Sequence, residues 1–193
     1  MSRDTPLVSR LLVVAVAGEG LLAAVALVWI WLRGLTVASG DPVTGLWLGL
    51  AGAALLALVN HAVLRYAPAI RPVQALRRMY EDLLRPVFAR TRPIDVVVVS
   101  VAAGIGEELL FRGAIQAEFG LLTASVLFGL AHIGGRGTVA FGLWVVVMGL
   151  GLGGLAQVAG GLLAPIVAHA AYDAAAICYI RQDARTGSRA DRV

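Results

Sequence analysis

Apolar and polar positions alternate along this chain in long blocks rather than residue by residue. Six apolar blocks can be drawn, at about 7–32, 43–64, 94–115, 119–134, 138–159 and 161–180. A membrane-crossing helix needs about 20 mostly apolar residues, so most of these blocks have the length of a span. Between the second and third lies the one long polar stretch, 65–93, holding Arg65, Arg71, Arg77, Arg78, Arg85, Arg90 and Arg92. Within it Leu76, Met79, Tyr80, Leu83 and Val87 recur at helical spacing, which predicts an amphipathic helix on the membrane surface. Pro72 suits its start and Pro86 its end.

Composition agrees with the blocks. The 193 residues are 59% hydrophobic and only 15% charged, where a soluble domain would carry about 25% charged residues. The expected fold is an all-α polytopic bundle of about six spans plus one interfacial helix, forming a single integral membrane domain over 1–193. The first block is too long for the core of a secretory signal and reads as a retained span.

All 16 basic residues are arginines, a bias that fits GC-rich bacterial coding. They fall in short loops and tails, which fits topology control better than a nucleic-acid surface. Arg3 and Arg10, the 65–93 stretch, Arg136, and Arg181, Arg185, Arg189 and Arg192 share one side of a six-span layout, and Arg33 alone lies opposite. The positive-inside rule then puts both termini in the cytoplasm and the protein in the inner membrane of a bacterium. Cys178 is the single cysteine, so no intrachain disulfide or cysteine metal cluster is available. Gly45, Gly49 and Ala53, and Gly149 and Gly153, are spaced four apart, as close helix packing requires.

The charges inside the blocks carry the chemistry. The uncharged run from Val96 to Gly106 is 11 residues, about 16 Å of helix, against roughly 30 Å of hydrocarbon. A span here must continue through Leu109 and Phe111, which brings Glu107, Glu108 and Arg112 into the membrane. Otherwise the segment is a re-entrant stub with its charges at headgroup level. Glu108 and Arg112 are four apart and can pair on one helix face. Glu107 is turned about 100° away and left without that partner. The fourth block holds Phe128 and His132, the sixth His169 and Asp173, each pair again four apart. Counting helix rise from the block ends puts Glu108, His132 and His169 within about 10 Å of one another in depth. Glu19, mid-way along the first block, either lines the same interior or bonds to a neighbouring helix; Asp95 and Glu118 are expected at the interfaces. Gly104 and Gly106 read as room beside the carboxylates for a water or a substrate backbone.

Three ordered motifs, EELLFR (107–112), FGLAH (128–132) and HAAYD (169–173), resemble those of the CPBP family of intramembrane proteases, which includes the prenyl-protein (CAAX) endopeptidase of eukaryotes. The resemblance covers about 94–180, the expected catalytic core, and departs at Asp173, where asparagine is common. It implies an intramembrane endopeptidase with Glu107, Glu108, Arg112, His132, His169 and Asp173 in the site. Glu107 is the expected general base, though spacing leaves either glutamate open. His132 would hold the water or polarise the carbonyl, and His169, oriented by Asp173, would complete that role. No cofactor is expected; the alternative is a zinc ion on Glu107, His132 and His169. The expected partner is a membrane-anchored protein or peptide in the bilayer. A non-catalytic immunity or binding protein of the same fold and a proton-coupled transporter are the competing readings.

Overall fold

The computed structural model describes residues 5–190, with side chains described over 10–186. Arg3 and Arg192 lie outside these residues, and the side chain of Arg189 outside the described side chains. Among the described residues all regular structure is helical. Helix α1 is Thr5–Arg33, α2 Pro42–Tyr66, α3 Arg71–Met79, α4 Arg85–Phe88, α5 Pro93–Glu108, α6 Gln116–Ala131, α7 Val139–Ala159 and α8 Leu163–Ala190. Two wide π turns, Tyr80–Leu84 and Leu109–Ile115, join α3 to α4 and α5 to α6. The protein is a helical integral membrane bundle.

Among the described residues four segments have the length and apolarity to cross a bilayer: Arg10–Arg33 in α1, Pro42–Tyr66 in α2, Arg136–Ala159, which is α7 with the short turn before it, and Leu163–Thr186 in α8. The third and fourth expected spans are built differently. Helix α5 runs on through its π turn, carrying Glu107, Glu108 and Arg112. The break comes at Gly120, whose φ of 83° and ψ of 168° interrupt α6, a conformation that only glycine adopts without strain. Beyond it the chain forms a short arm that ends at His132, shortly before Gly134 and Gly135. From Gly120 this arm is about 18 Å long. It therefore stops short of a full bilayer crossing and leaves His132 inside the bundle.

Contacts sort the loops onto two faces. On one, Arg33 pairs with Glu118 at 2.7 Å, the Trp29 indole donates to the same carboxylate at 2.7 Å, and Leu162 and Leu163 N–H donate to Ala38 and Ser39 carbonyls. On the other, Arg77 donates to the Leu64 and Ala67 carbonyls, capping the end of α2. There too Asp183 meets Tyr80 and Arg85 at 3.1 and 3.4 Å. Helix α8 thus continues well past residue 180 to brace the polar 65–93 stretch.

Pro86 does not end the amphipathic helix, as its position in the sequence suggests; the helix runs to Phe88. A proline inside an α-helix clashes with the carbonyl four residues back, and the π turn just before it opens that turn. The extra residue also shifts the apolar face. Leu83 is 47% exposed, and Val73, Leu76, Tyr80 and Leu84 turn inward instead.

Small residues set the helix spacing. A Cβ at Gly49 would lie 2.8 Å from the Ala164 carbonyl of α8, and one at Gly149 3.2 Å from Ser125 of α6. The buried core joins Phe111 and Ile115 of the π turn, Ala124 and Phe128 of α6, Val145 and Leu152 of α7, and Ala168 of α8.

Candidate active site

Glu107 and Glu108 close α5, and the π turn begins at the next residue. Wide turns of this kind recur at functional sites because they re-aim side chains within a continuous helix. Here Phe111, Arg112, Gly113, Ala114 and Ile115 are all buried, and only Leu109 and Leu110 keep partial exposure. Arg112 donates from Nη1 to Glu108 Oε1 at 2.7 Å and from Nη2 to the Gly149 carbonyl at 3.2 Å. Its guanidinium lies 4.3 Å above the Phe128 ring. That ring also meets Phe111 and His132 edge-on, each at 4.9 Å between centroids. Phe128 of the FGLAH motif is therefore the floor beneath the ion pair, a role its spacing from His132 did not disclose.

His169 arrives from α8. Its Nδ1 donates to Glu108 Oε1 at 2.7 Å, so a single carboxylate oxygen accepts from both Arg112 and His169. Its Nε2 faces Glu107 Oε2 at 3.8 Å and Asp173 Oδ2 at 3.6 Å. Those distances exceed a hydrogen bond. The spacing of the third motif gave the orientation of His169 to Asp173; the geometry gives it first to Glu108.

His132 ends α6 with a bond from Nδ1 to the Phe128 carbonyl at 2.8 Å. A carbonyl only accepts, so Nδ1 carries the proton and neutral His132 presents a lone pair at Nε2. That atom lies 4.0 Å from Glu107 Oε1. The Glu107 carboxylate thus stands between two imidazole Nε2 atoms, each ring anchored through its Nδ1. Exposure is graded across the site. The side chain of Glu108 is 0% exposed and Arg112 1%, whereas His132 is at 27% and Asp173 at 31%.

All six residues singled out from the sequence therefore meet in one cluster drawn from α5, its π turn, α6 and α8. The room expected at Gly104 and Gly106 is filled. A Cβ at Gly104 would lie 3.0 Å from the Ile166 carbonyl, and one at Gly106 2.6 Å from the Glu19 carbonyl. These glycines admit α8 and α1 rather than a ligand. An open volume of about 690 Å³ lies elsewhere, between α2, α3, α7 and α8. Phe141, whose ring meets His132 at 5.9 Å, and Tyr172, next to Asp173, line it on the site's side. Arg65, Arg77 and Tyr80 line it towards the polar stretch.

Residues 89–175 match the family model described as type II CAAX prenyl endopeptidase Rce1-like. Over this segment the chain is similar to the Rce1-like family. That family falls within the CPBP group which the three motifs resemble, and it is generally one of proteases. The Rce1-like segment contains all six site residues. Among relatives, the uncharacterized protein YpbD of Bacillus subtilis is 27% identical over 138 residues, covering 70% of this chain and 69% of its own length. No solved structure gives a significant match.

Proposed function

We propose that the protein is a glutamate-type intramembrane endopeptidase that cleaves a membrane-anchored protein or peptide. The observation that carries this reading is the placement of Glu107 between two anchored imidazoles while Oε1 of its neighbour Glu108 is taken by both Arg112 and His169. Gaps of 3.8 and 4.0 Å are too long for direct bonds and suit a bridging water. Glu107 takes a proton from that water as its oxygen attacks the scissile carbonyl. The carbonyl π electrons move to its oxygen, and the imidazole Nε2–H of a protonated His169 or His132 donates to the oxyanion. On collapse the C–N bond breaks, and Glu107 returns its proton to the leaving amine. Arg112 and Glu108 hold the His169 ring and take no part in bond making.

The cavity beside Phe141 and Tyr172 suits an unwound substrate segment entering from the face of the arginine-rich stretch. Residues 94–180 act as the catalytic core, with 65–93 at the cytoplasmic face, both termini cytoplasmic and the inner membrane of a bacterium as the location. Removal of a C-terminal anchor or a leader segment fits such an entry.

A zinc-dependent form of the reaction would draw on Glu107, His132 and His169. The donor types suit the ion, but among the described residues no three His, Cys, Asp or Glu side chains converge closely enough to hold one. Purified protein is expected to carry no stoichiometric zinc and to resist chelators; one metal per chain, with activity lost on its removal, would overturn this.

The function is tested with Glu107→Ala and His132→Ala in cells, comparing the termini of membrane proteins by mass spectrometry. Specific termini should vanish in both variants. If neither changes any terminus while a resistance phenotype persists, the protein is an immunity or binding protein instead.

A further inference from the structure

Glu19 stands at the midpoint of α1, the sole ionisable residue between Leu11 and Leu32. A carboxyl at that depth is costly unless it faces partners or a polar interior. Its surroundings are specific. Helix α1 presses on α5 where Gly106 has no side chain, and a Cβ there would lie 2.8 Å from Glu19 Oε2. Gly106 is the residue before Glu107, so the Glu19 carboxyl lies against the backbone that carries the proposed base. Glu107, His169 and Asp173 are its charged neighbours.

Glu19 Oε2, and Oε2 of the neighbouring Glu107, are buried without a hydrogen-bond partner. With both groups ionised the two oxygens are acceptors only, and neither carboxylate can satisfy the other. A buried polar atom left in this state calls for a donor. Arg112 is already engaged by Glu108 and Gly149, and His132 and His169 have committed their Nδ1 protons. A water molecule brings two donors at once. The alternative, that Glu19 braces a neighbouring helix by hydrogen bonding, has no support at Oε2.

We propose that Glu19 is a positioning residue of the hydrolytic site: with Glu107 it holds a water at the α1–α5 seam and so aims the Glu107 carboxylate at the two imidazoles. The proposal rests on the hydrolytic reading above. It accounts for Gly106, since any larger residue would part Glu19 from Glu107. It also brings α1 into the site, from outside the Rce1-like segment at 89–175.

The test uses the full-length protein in liposomes with a reporter bearing a cleavage site that depends on Glu107. Glu19→Leu should lower kcat about 10–100-fold with KM nearly unchanged, and should hold or raise the thermal midpoint, because an ionisable group costly at mid-membrane depth is removed. Glu19→Gln, which keeps an acceptor oxygen in the same place, should retain most of the rate. A Glu19→Leu protein with unchanged kcat overturns the proposal. So does one whose rate falls only in step with its folded fraction, or whose KM alone rises. If the wild type shows no cleavage that depends on Glu107, the hydrolytic reading falls and takes this one with it; persistent cleavage in Glu19→Leu removes the Glu19 role alone.

Discussion

Glu107 and Glu108 are consecutive residues, yet the halves of the site they belong to are built on opposite terms. The Glu108 half is closed: its Oε1, Arg112, the Gly149 carbonyl and the Phe128 ring form a buried, mutually contacting unit. The Glu107 half is loose. Its two imidazole neighbours stand 3.8 and 4.0 Å away, beyond hydrogen-bond reach, and His132 and Asp173 beside it are partly exposed; an oxygen without a partner is common to both glutamates. One turn of helix thus supplies both a rigid frame and a reactive group. The frame fixes His169, and the reactive carboxylate stays free because the frame does not use it.

The sharpest way to break this contrast is to neutralise each glutamate in turn. Glu107→Gln should cost about 10²–10⁴-fold in cleavage rate while leaving the thermal midpoint of the purified protein nearly unchanged. The pattern should reverse for the frame. Arg112→Met leaves Glu108 buried without its cation, a change that costs about 3–5 kcal/mol; it should appear as loss of folded protein in detergent. Replacing both, with Glu108→Leu and Arg112→Met, should restore much of that stability but not the activity, since His169 loses the acceptor for Nδ1. Equal stability losses at Glu107 and Arg112 would mean that the two halves are one structural network.

Sequence spacing made the site residues legible because each motif lies within one turn of one helix. The pairs Glu108–Arg112 and Phe128–His132 follow directly from i,i+4 geometry. Other features were hidden for a physical reason. The bond from His169 to Glu108 spans 61 positions, and nothing local encodes it. The π turns leave no periodic signature, because each differs from an α-helix by a single residue of winding. Gly120 lies at the start of the fourth block, and nothing local there marks the beginning of an arm that stops at His132. Gly104 and Gly106 suggest space for a ligand in the sequence, since a glycine's missing side chain looks the same whether a helix or a ligand fills it.

Those glycines allow a finer probe of the boundary between the halves. Gly104→Ala meets the Ile166 carbonyl and Ala170 of α8 at 3.0 Å, and Gly106→Ala meets the Glu19 carbonyl at 2.6 Å. Backbone atoms yield less readily than side-chain ends, so each should cost about 1–3 kcal/mol in overpacking, measured as a lower thermal midpoint. Gly18→Ala is the control, as nothing lies within 4 Å of its added methyl, and the midpoint should hold or rise slightly.

The smallest expected effect tests the winding away from the site. If the π turn at Tyr80–Leu84 re-phases the amphipathic helix, adjacent leucines should differ. Leu83, 47% exposed, should tolerate alanine to within about 0.5 kcal/mol. Leu84 turns towards the cavity, beside Tyr80 and Leu76, and Leu84→Ala should cost more, roughly 1–2 kcal/mol from lost apolar burial. Regular α-helical phasing from Leu76, Met79 and Tyr80 places Leu83 on the inner face and makes the opposite prediction. A larger loss at Leu83 than at Leu84 would show that the wide turn does not persist in the membrane. The π turn after Glu108 would then need the same scrutiny, because the closed frame depends on it.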